Sequence, residues 1–209
     1  MSSRRTLIVS AAAAALLALA GLEVGAQQPR GAMDSPAATI DSLQQGLIAA
    51  ARDRPNASID DRYRALEPLV VATHNLPYVA EFALRRQWSS LADADRQRFV
   101  AAFQRLSVMT YAARFKSVGP ATFRPVTAGA PDASGRVQVS TAVARDGQPD
   151  VSLEYLLQRD EQGWRIINVV ADGVSDLALK RAEYSRVFTS GGIAGLLTEL
   201  EQQTERLRE

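Results

Sequence analysis

His74 is the only histidine in the 209 residues, and the chain has no cysteine. The covalent chemistry open to it is correspondingly narrow. Thiolate nucleophiles, disulfides and zinc–thiolate sites are excluded, and a Ser-His-Asp device would have a single imidazole to use. A metal site would have to join His74 to carboxylates, yet neither H-E-x-x-H nor any paired-histidine spacing surrounds it. General acid–base chemistry could rest on Glu154 or Asp172, as in an isomerase or hydrolase built on a cone-shaped α+β fold. His74 itself falls at the end of a helical pattern, where a cation suits the unpaired carbonyls.

Other polar side chains point to binding rather than catalysis. Tyr63, Tyr111 and Tyr155 each carry a hydroxyl that needs a partner if buried, either a backbone carbonyl or an oxygen of a bound molecule. Arg85-Arg86, Arg114 and Lys116 could receive an anionic group or a membrane surface, or could simply be solvated helix faces.

These residues need a scaffold, and the N-terminus says where it is built. Arg4 and Arg5 precede an apolar run from Leu7 to Ala20, and Val24-Gly25-Ala26 offers small residues for a cut before Gln27. This is the pattern of a cleaved signal peptide, residues 1–26, and the run is shorter than the roughly 18 to 20 residues of a membrane-spanning helix. Ser3-Arg4-Arg5-Thr6 also looks like a twin-arginine signal, so either export route fits. The expected location is the periplasm. Residues 27–35, rich in Gly, Pro and polar types, read as a flexible leader, and 36–209 as one domain. A formal net charge of +1 gives no bulk attraction for nucleic acid. No heptad seam or long apolar edge strand stands out, so a monomer is expected.

Periodicity then divides the domain. Ile40, Leu43, Leu47 and Ala51 mark a first amphipathic helix, and Ile59, Tyr63, Leu66 and Val70 a second, opened by Ser58 and Asp61 and kinked near Pro68. A third runs from Asn75-Pro77 through Trp88. The longest helical pattern, Asp93 to Lys116, is apolar over a wide arc and should be covered on more than one side. After Gly119-Pro120 the period changes to alternation, predicting four antiparallel strands: 122–126, 136–145, 151–159 and 164–171. The last is apolar on both faces and is expected to be central and doubly covered. Ser175 opens another helix, Gly191-Gly192 stops it, and Ile193 to Arg206 form the last one. The class is α+β: a twisted four-stranded antiparallel sheet packed against several helices, with helices first and last.

The order of these residues resembles the MlaC family, also called the toluene-tolerance family, of periplasmic lipid-binding proteins. Trp88, Ser90-Leu91, Gln97-Arg98-Phe99, Phe103 and Leu106 lead into Tyr111-Ala112 and Arg114-Phe115 with the family's order of types. A second stretch comprises Tyr155-Leu156-Leu157, Gly163-Trp164-Arg165-Ile166, Asp172-Gly173-Val174-Ser175, Tyr184, Phe188 and Gly191-Gly192-Ile193. No single motif is specific; their order and spacing carry the likeness. Asn168 stands where the family commonly has Asp, and Asp176-Leu177-Ala178-Leu179-Lys180-Arg181 replaces the usual apolar continuation. That stretch resembles the hopanoid-associated HpnM branch.

The resemblance implies a lipid shuttle with no catalytic activity and no cofactor, working as the soluble component of an ABC-type transport system. Its partners would be an inner-membrane transporter complex and an outer-membrane lipoprotein and porin complex, and its cargo a phospholipid or a hopanoid. Such a carrier must hide the tails, since each exposed methylene costs about 0.8 kcal/mol. An apolar cavity between the long helix and the sheet could do so. Phe99, Phe103, Leu106 and Tyr111 would line it from the helix. Val139, Val143, Leu153, Tyr155, Leu157 and Ile166 would line it from the sheet, with Arg114 at a headgroup or membrane surface. The same apolar residues would equally serve a dry core, and a cargo-free envelope adaptor would then fit the chain.

Overall fold

The computed structural model describes residues 33–116, 122–145 and 147–209. The signal segment and residues 27–32 of the leader lie outside them. Five α-helices and a five-stranded sheet are present among the described residues.

Local sequence explains most helix starts. Helix α1, Pro36–Asp53, begins with Pro36 in its first turn, and the Ser35 hydroxyl accepts from the Ala38 N–H at 3.1 Å. Helix α2, Ile59–Thr73, is capped by Ser58, which accepts from Asp61 N at 3.1 Å while donating to the Asp61 carboxylate at 2.8 Å. Asn75 caps α3, Leu76–Leu84, by accepting from Tyr78 N. The pattern continued to Trp88, but α3 ends at Leu84. Arg85 turns the backbone to φ 30°, and only a short 3-10 turn, Trp88–Ser90, follows. Helix α4 spans Asp93–Arg114, with Asp93 and Asp95 in its first turn, where carboxylates suit the unpaired N–H groups.

The strands are β1 Thr127–Ala128, β2 Val137–Arg145, β3 Gln148–Asp160, β4 Gly163–Ala171 and β5 Val174–Ser175. They form an antiparallel meander in sequence order. The expected count of four is corrected to five. The strand expected at 122–126 is reduced to a single bridge, Phe123 to Val143, because Pro125 has no N–H to offer a ladder; pairing begins only at Thr127. The added strand comes from the turn at Asp172-Gly173, where φ values of 47° and 78° fold Val174–Ser175 back onto Val170–Ala171.

β4 is also not central. It pairs with β3 along its length but has only the two residues of β5 on its other side. Helices substitute for a strand there, with α1, α2, α3 and α5 all packing on it. Both faces are covered as its composition suggested: Ile166 belongs to one apolar cluster and Ile167 to another. A bulge opposite Leu156 and Leu157 shifts the register, so Leu157 pairs with Ile166 while Leu156 pairs with Asn168.

The two clusters define the architecture. One joins α1, α2 and the inner face of the sheet through Ile40, Leu43, Leu47, Leu66, Val139 and Leu157. The other is largely between helices: α3, α4 and α5 meet at Phe99, Phe103, Val108, Tyr184, Leu196 and Leu200. The long helix therefore does not lie along the sheet as expected. It packs chiefly against α2, α3 and α5. Helix α5, Asp176–Arg206, is broken at Gly192, whose φ of 61° and ψ of −161° suit glycine alone. Its two arms fold back on each other, and Gln203 donates to Glu183 at 2.6 Å.

Candidate functional site

A pocket of about 290 Å³ opens where the C-terminal half of α4, the bulged part of β4 and the first turns of α5 converge. Each wall has a local cause. Helical spacing brings Phe103, Ser107, Thr110, Tyr111 and Arg114 to one side of α4, and Phe115 follows at its end. The bulge turns the consecutive residues Ile166, Ile167, Asn168 and Val169 toward the same space, which a regular strand of period two could not do. Leu153 and Tyr155 of β3 add to this wall, and Leu76 and Val79 of α3 close it. The Ser175 hydroxyl caps α5 by accepting from Ala178 N, so Asp176, Leu177, Leu179 and Lys180 form the rim.

Most of the lining is apolar, and two polar pairs stand in it, His74 with Tyr111 and Asp176 with Lys180. His74 is buried at the end of α2, with its Nε2 2.9 Å from the Tyr111 hydroxyl and its Nδ1 3.1 Å from the Val70 carbonyl. Burial pushes its pKa down to about 4, so it is neutral at pH 7. The reading of His74 as a cation at a helix end is therefore corrected: the site is too dry for the charge. Burial likewise raises the Tyr111 and Tyr155 phenols far above their usual value. At the rim, Lys180 donates to Asp176 at 2.8 Å.

Phe103, Tyr111, Leu153, Tyr155 and Ile166 come together in this pocket, with Arg114 exposed at its edge. Five other candidates lie elsewhere. Phe99 and Leu106 belong to the cluster between helices. Val139, Leu157 and Val143, on β2 and β3, belong to the cluster that the sheet forms with α1 and α2. Periodicity had not pointed to Ile167, Asn168, Val169 or the rim of α5. The bulge hid the first three, and Asp176–Arg181 had stood out only as a departure from the family pattern. The tyrosine hydroxyls take none of the backbone carbonyls expected as ordinary partners. Tyr63 donates to Glu67 and Tyr111 to His74, while Tyr155, 3% exposed, has no hydrogen-bond partner among the described residues. Neither Glu154 nor Asp172, the carboxylates considered for catalysis, lines the pocket; Glu154 is exposed, and Asp172 accepts from Ser152 N at 2.8 Å.

This arrangement can hold an apolar molecule beside a few fixed hydrogen-bonding groups. Comparison with protein families matches residues 41–202 to the MlaC protein family. The chain belongs to the MlaC family. Among solved structures, the MlaC fold here is similar to that of a phospholipid-binding protein from Ralstonia solanacearum, determined in complex with a phospholipid. That likeness has a TM-score of 0.70 at 19% sequence identity, covering 83% of this chain and 98% of the other. A search of curated proteins finds no match.

Proposed function

We propose that this MlaC-family chain is a periplasmic lipid carrier: it binds the apolar part of a lipid in the pocket beneath α5 and performs no covalent step. The observation that carries the reading is the pocket itself, formed where helices and sheet part and lined mainly by apolar side chains. Family membership and the phospholipid held by the Ralstonia solanacearum protein support it. The signal-like residues 1–26 support export.

At about 290 Å³ the pocket stands at the lower end of the roughly 300 to 1,000 Å³ typical of small-molecule sites. It takes part of one apolar chain or ring system as it stands, so a whole lipid requires the wall to yield. The α5 arm is the side best suited to move, since its first two turns hold no fully buried residue: Leu177 is half-buried and Leu179 exposed. Burying even ten methylenes would offset such a displacement by about 8 kcal/mol.

In this reading the chain is the soluble component of an ABC-type lipid transport system, passing lipid between an inner-membrane complex and an outer-membrane one. The cargo is a phospholipid or a hopanoid-type lipid. Placement in the HpnM branch rests on Asp176–Arg181, and Asp176, Leu177, Leu179 and Lys180 of that stretch form the rim. Cargo selection between branches would then be made at the mouth.

Lipid extraction and native mass spectrometry of protein purified from its own envelope test the proposal. One bound lipid per chain is expected. A chain that emerges empty and also takes no lipid from vesicles or micelles would refute the carrier role.

A further inference from the structure

The first turns of α5 form a ridge with the lipid pocket on one side and a second groove on the other. Asp176, Leu177, Leu179 and Lys180 face the pocket. Ala178, Arg181, Ala182 and Ser185 line the groove together with Arg85, Arg86 and Gln87. Two independent features mark this ridge. Leu179, 60% exposed, and Val174, 52% exposed, are the large exposed apolar residues among the described ones, and both stand on the pocket rim. Single exposed apolar residues are ordinary, but here both fall at one mouth.

Around them lie cations without acidic partners. Arg85 and Arg181 stack over the same Phe82 ring, with guanidinium carbons 5.3 and 5.4 Å from its centroid. Arg86 and Arg114 complete the set, and none of these four arginines has an ion-pair partner among the described residues. Like charges gathered on one ring repel, and among the described residues no carboxylate forms an ion pair with either. Nearby acids are engaged elsewhere: Asp176 holds Lys180, Glu183 accepts from Gln203, and Asp172 accepts from Ser152. Glu81, one turn before Arg85, remains exposed. Arg85 also keeps a φ of 30°, a conformation costly for a side-chain-bearing residue.

We infer that this ridge is a docking surface for an anionic bilayer. Arg85, Arg86, Arg181 and Arg114 meet lipid phosphates, while Leu179 and Val174 enter the boundary of headgroups and acyl chains. The mouth of the pocket is thereby seated on the membrane. Apolar tips flanked by cations that form no ion pair match the chemistry of such a surface, with both attractions acting at once. Among the described residues no helix is long and apolar enough to cross a membrane. The inference rests on the lipid-carrier reading for its purpose, but its physical basis, exposed apolar residues among free cations, stands apart from any cargo.

Flotation of the full chain with vesicles tests it, using phosphatidylcholine alone and phosphatidylcholine mixed with phosphatidylglycerol. Binding is expected to the mixed vesicles at low salt, weaker at physiological salt, and absent from the neutral ones. The triple variant Arg85→Glu, Arg86→Glu, Arg181→Glu should bind at least about tenfold more weakly, since each cation near such a surface contributes about fivefold. Leu179→Asp should weaken binding severalfold. The same charge change at the exposed Arg54, Arg105 and Arg159, outside the ridge, should cost much less, which separates docking from net charge. Equal binding to both vesicle types, no binding to either as for a site built for an acidic protein, or equal losses in ridge and control variants would overturn the inference. Lipid uptake from neutral detergent micelles is the separate measure of cargo binding. Ridge variants that load from micelles but leave the vesicles support docking as its own step. A wild-type chain that docks but never loads would leave docking standing and refute the carrier reading.

Discussion

The Tyr111 hydroxyl donates to His74 Nε2 at 2.9 Å, and the two rings meet edge to face with centroids 5.3 Å apart. The direction of this bond follows from the other side of the imidazole. Nδ1 lies 3.1 Å from the Val70 carbonyl, which can only accept, and 3.0 Å from the Thr73 hydroxyl, whose own proton goes to the Leu69 carbonyl at 2.8 Å, so in the neutral ring Nδ1 carries the proton and Nε2 receives one. A bond between α2 and α4 is thus locked into a single tautomer at the wall of the pocket.

This pair makes stability depend on pH in a window that carboxylates do not share. The folded-state pKa of His74, about 4, lies below its value of 6.5 when solvated, so the unfolded chain takes up the proton first. Stability from this group is complete above pH 6.5, falls as pH drops toward 4, and is fully lost below, by about 3 kcal/mol. Asp61, Asp132, Asp150 and Glu199 are also depressed by their hydrogen bonds and positive neighbours, but their contributions vanish only below the ordinary carboxylate range. Urea unfolding at pH 7.5 and 5.0 should therefore show a marked loss for the wild type and a much smaller one for His74→Gln. Parallel losses in the two proteins would show that another group governs the window.

Tyr111→Phe removes the donor and leaves His74 Nε2 unsatisfied in a dry site, at a cost of about 1 to 2 kcal/mol. Because the lost bond favours the neutral ring, the folded-state pKa of His74 should also rise. Proton NMR can follow this directly, since the chain has one histidine. A Phe variant whose imidazole titrates where the wild type does would show that the hydroxyl does not hold the neutral form.

Elements governed by near neighbours in sequence were legible; the site depends on contacts that were not. Ser58 with Asp61, the Asp172-Gly173 turn and the break at Gly192 all act within a few residues, and the structure places each where its chemistry predicts. Helical periodicity likewise identified which face of α4 is buried, but not what buries it. Phe99 and Phe103, one turn apart on the same face, both meet Tyr184 edge to face, and only Phe103 also reaches the pocket. In β4 the alternation of Trp164, Ile166 and Val170 was read as one face. A single extra residue at the bulge instead sets Ile166 in register with Val169 and Ala171, opposite Leu157, Tyr155 and Leu153. A bulge is decided by pairing with β3, so the strand's own sequence carries little sign of it.

Tyr184 is fully buried against Phe99 and Phe103, and its hydroxyl finds no hydrogen-bond partner among the described residues. An unmet buried hydroxyl costs about 1 to 3 kcal/mol, while the ring supplies all of the packing. Tyr184→Phe is therefore expected to raise stability by about 1 kcal/mol, measured as a higher denaturant midpoint with an unchanged slope. A lower midpoint would mean that the hydroxyl is satisfied in solution, for instance by a buried water.

Val143 and Leu153 offer a direct contrast within one sheet. Both were candidates for lining a cavity, and they sit on neighbouring strands two positions apart in register, with Thr141 opposite Leu153 and Val143 opposite Val151. Leu153 lines the pocket, whereas Val143 packs beside Phe123 at the far margin of the inner cluster. Tryptophan at 153 has empty space to enter, so it should fill the pocket with a stability cost no greater than the 1 to 3 kcal/mol of ordinary overpacking. Val143 is half-buried and lies outside the pocket, so tryptophan at 143 crowds the margin of the inner cluster, with a cost in the same range, while leaving the pocket open. Lipid uptake measured by mass spectrometry should accordingly fall in Leu153→Trp and persist in Val143→Trp, whatever their ranking by thermal stability. If uptake instead tracks stability across the two variants, the bound lipid lies outside the space between α4, β4 and α5.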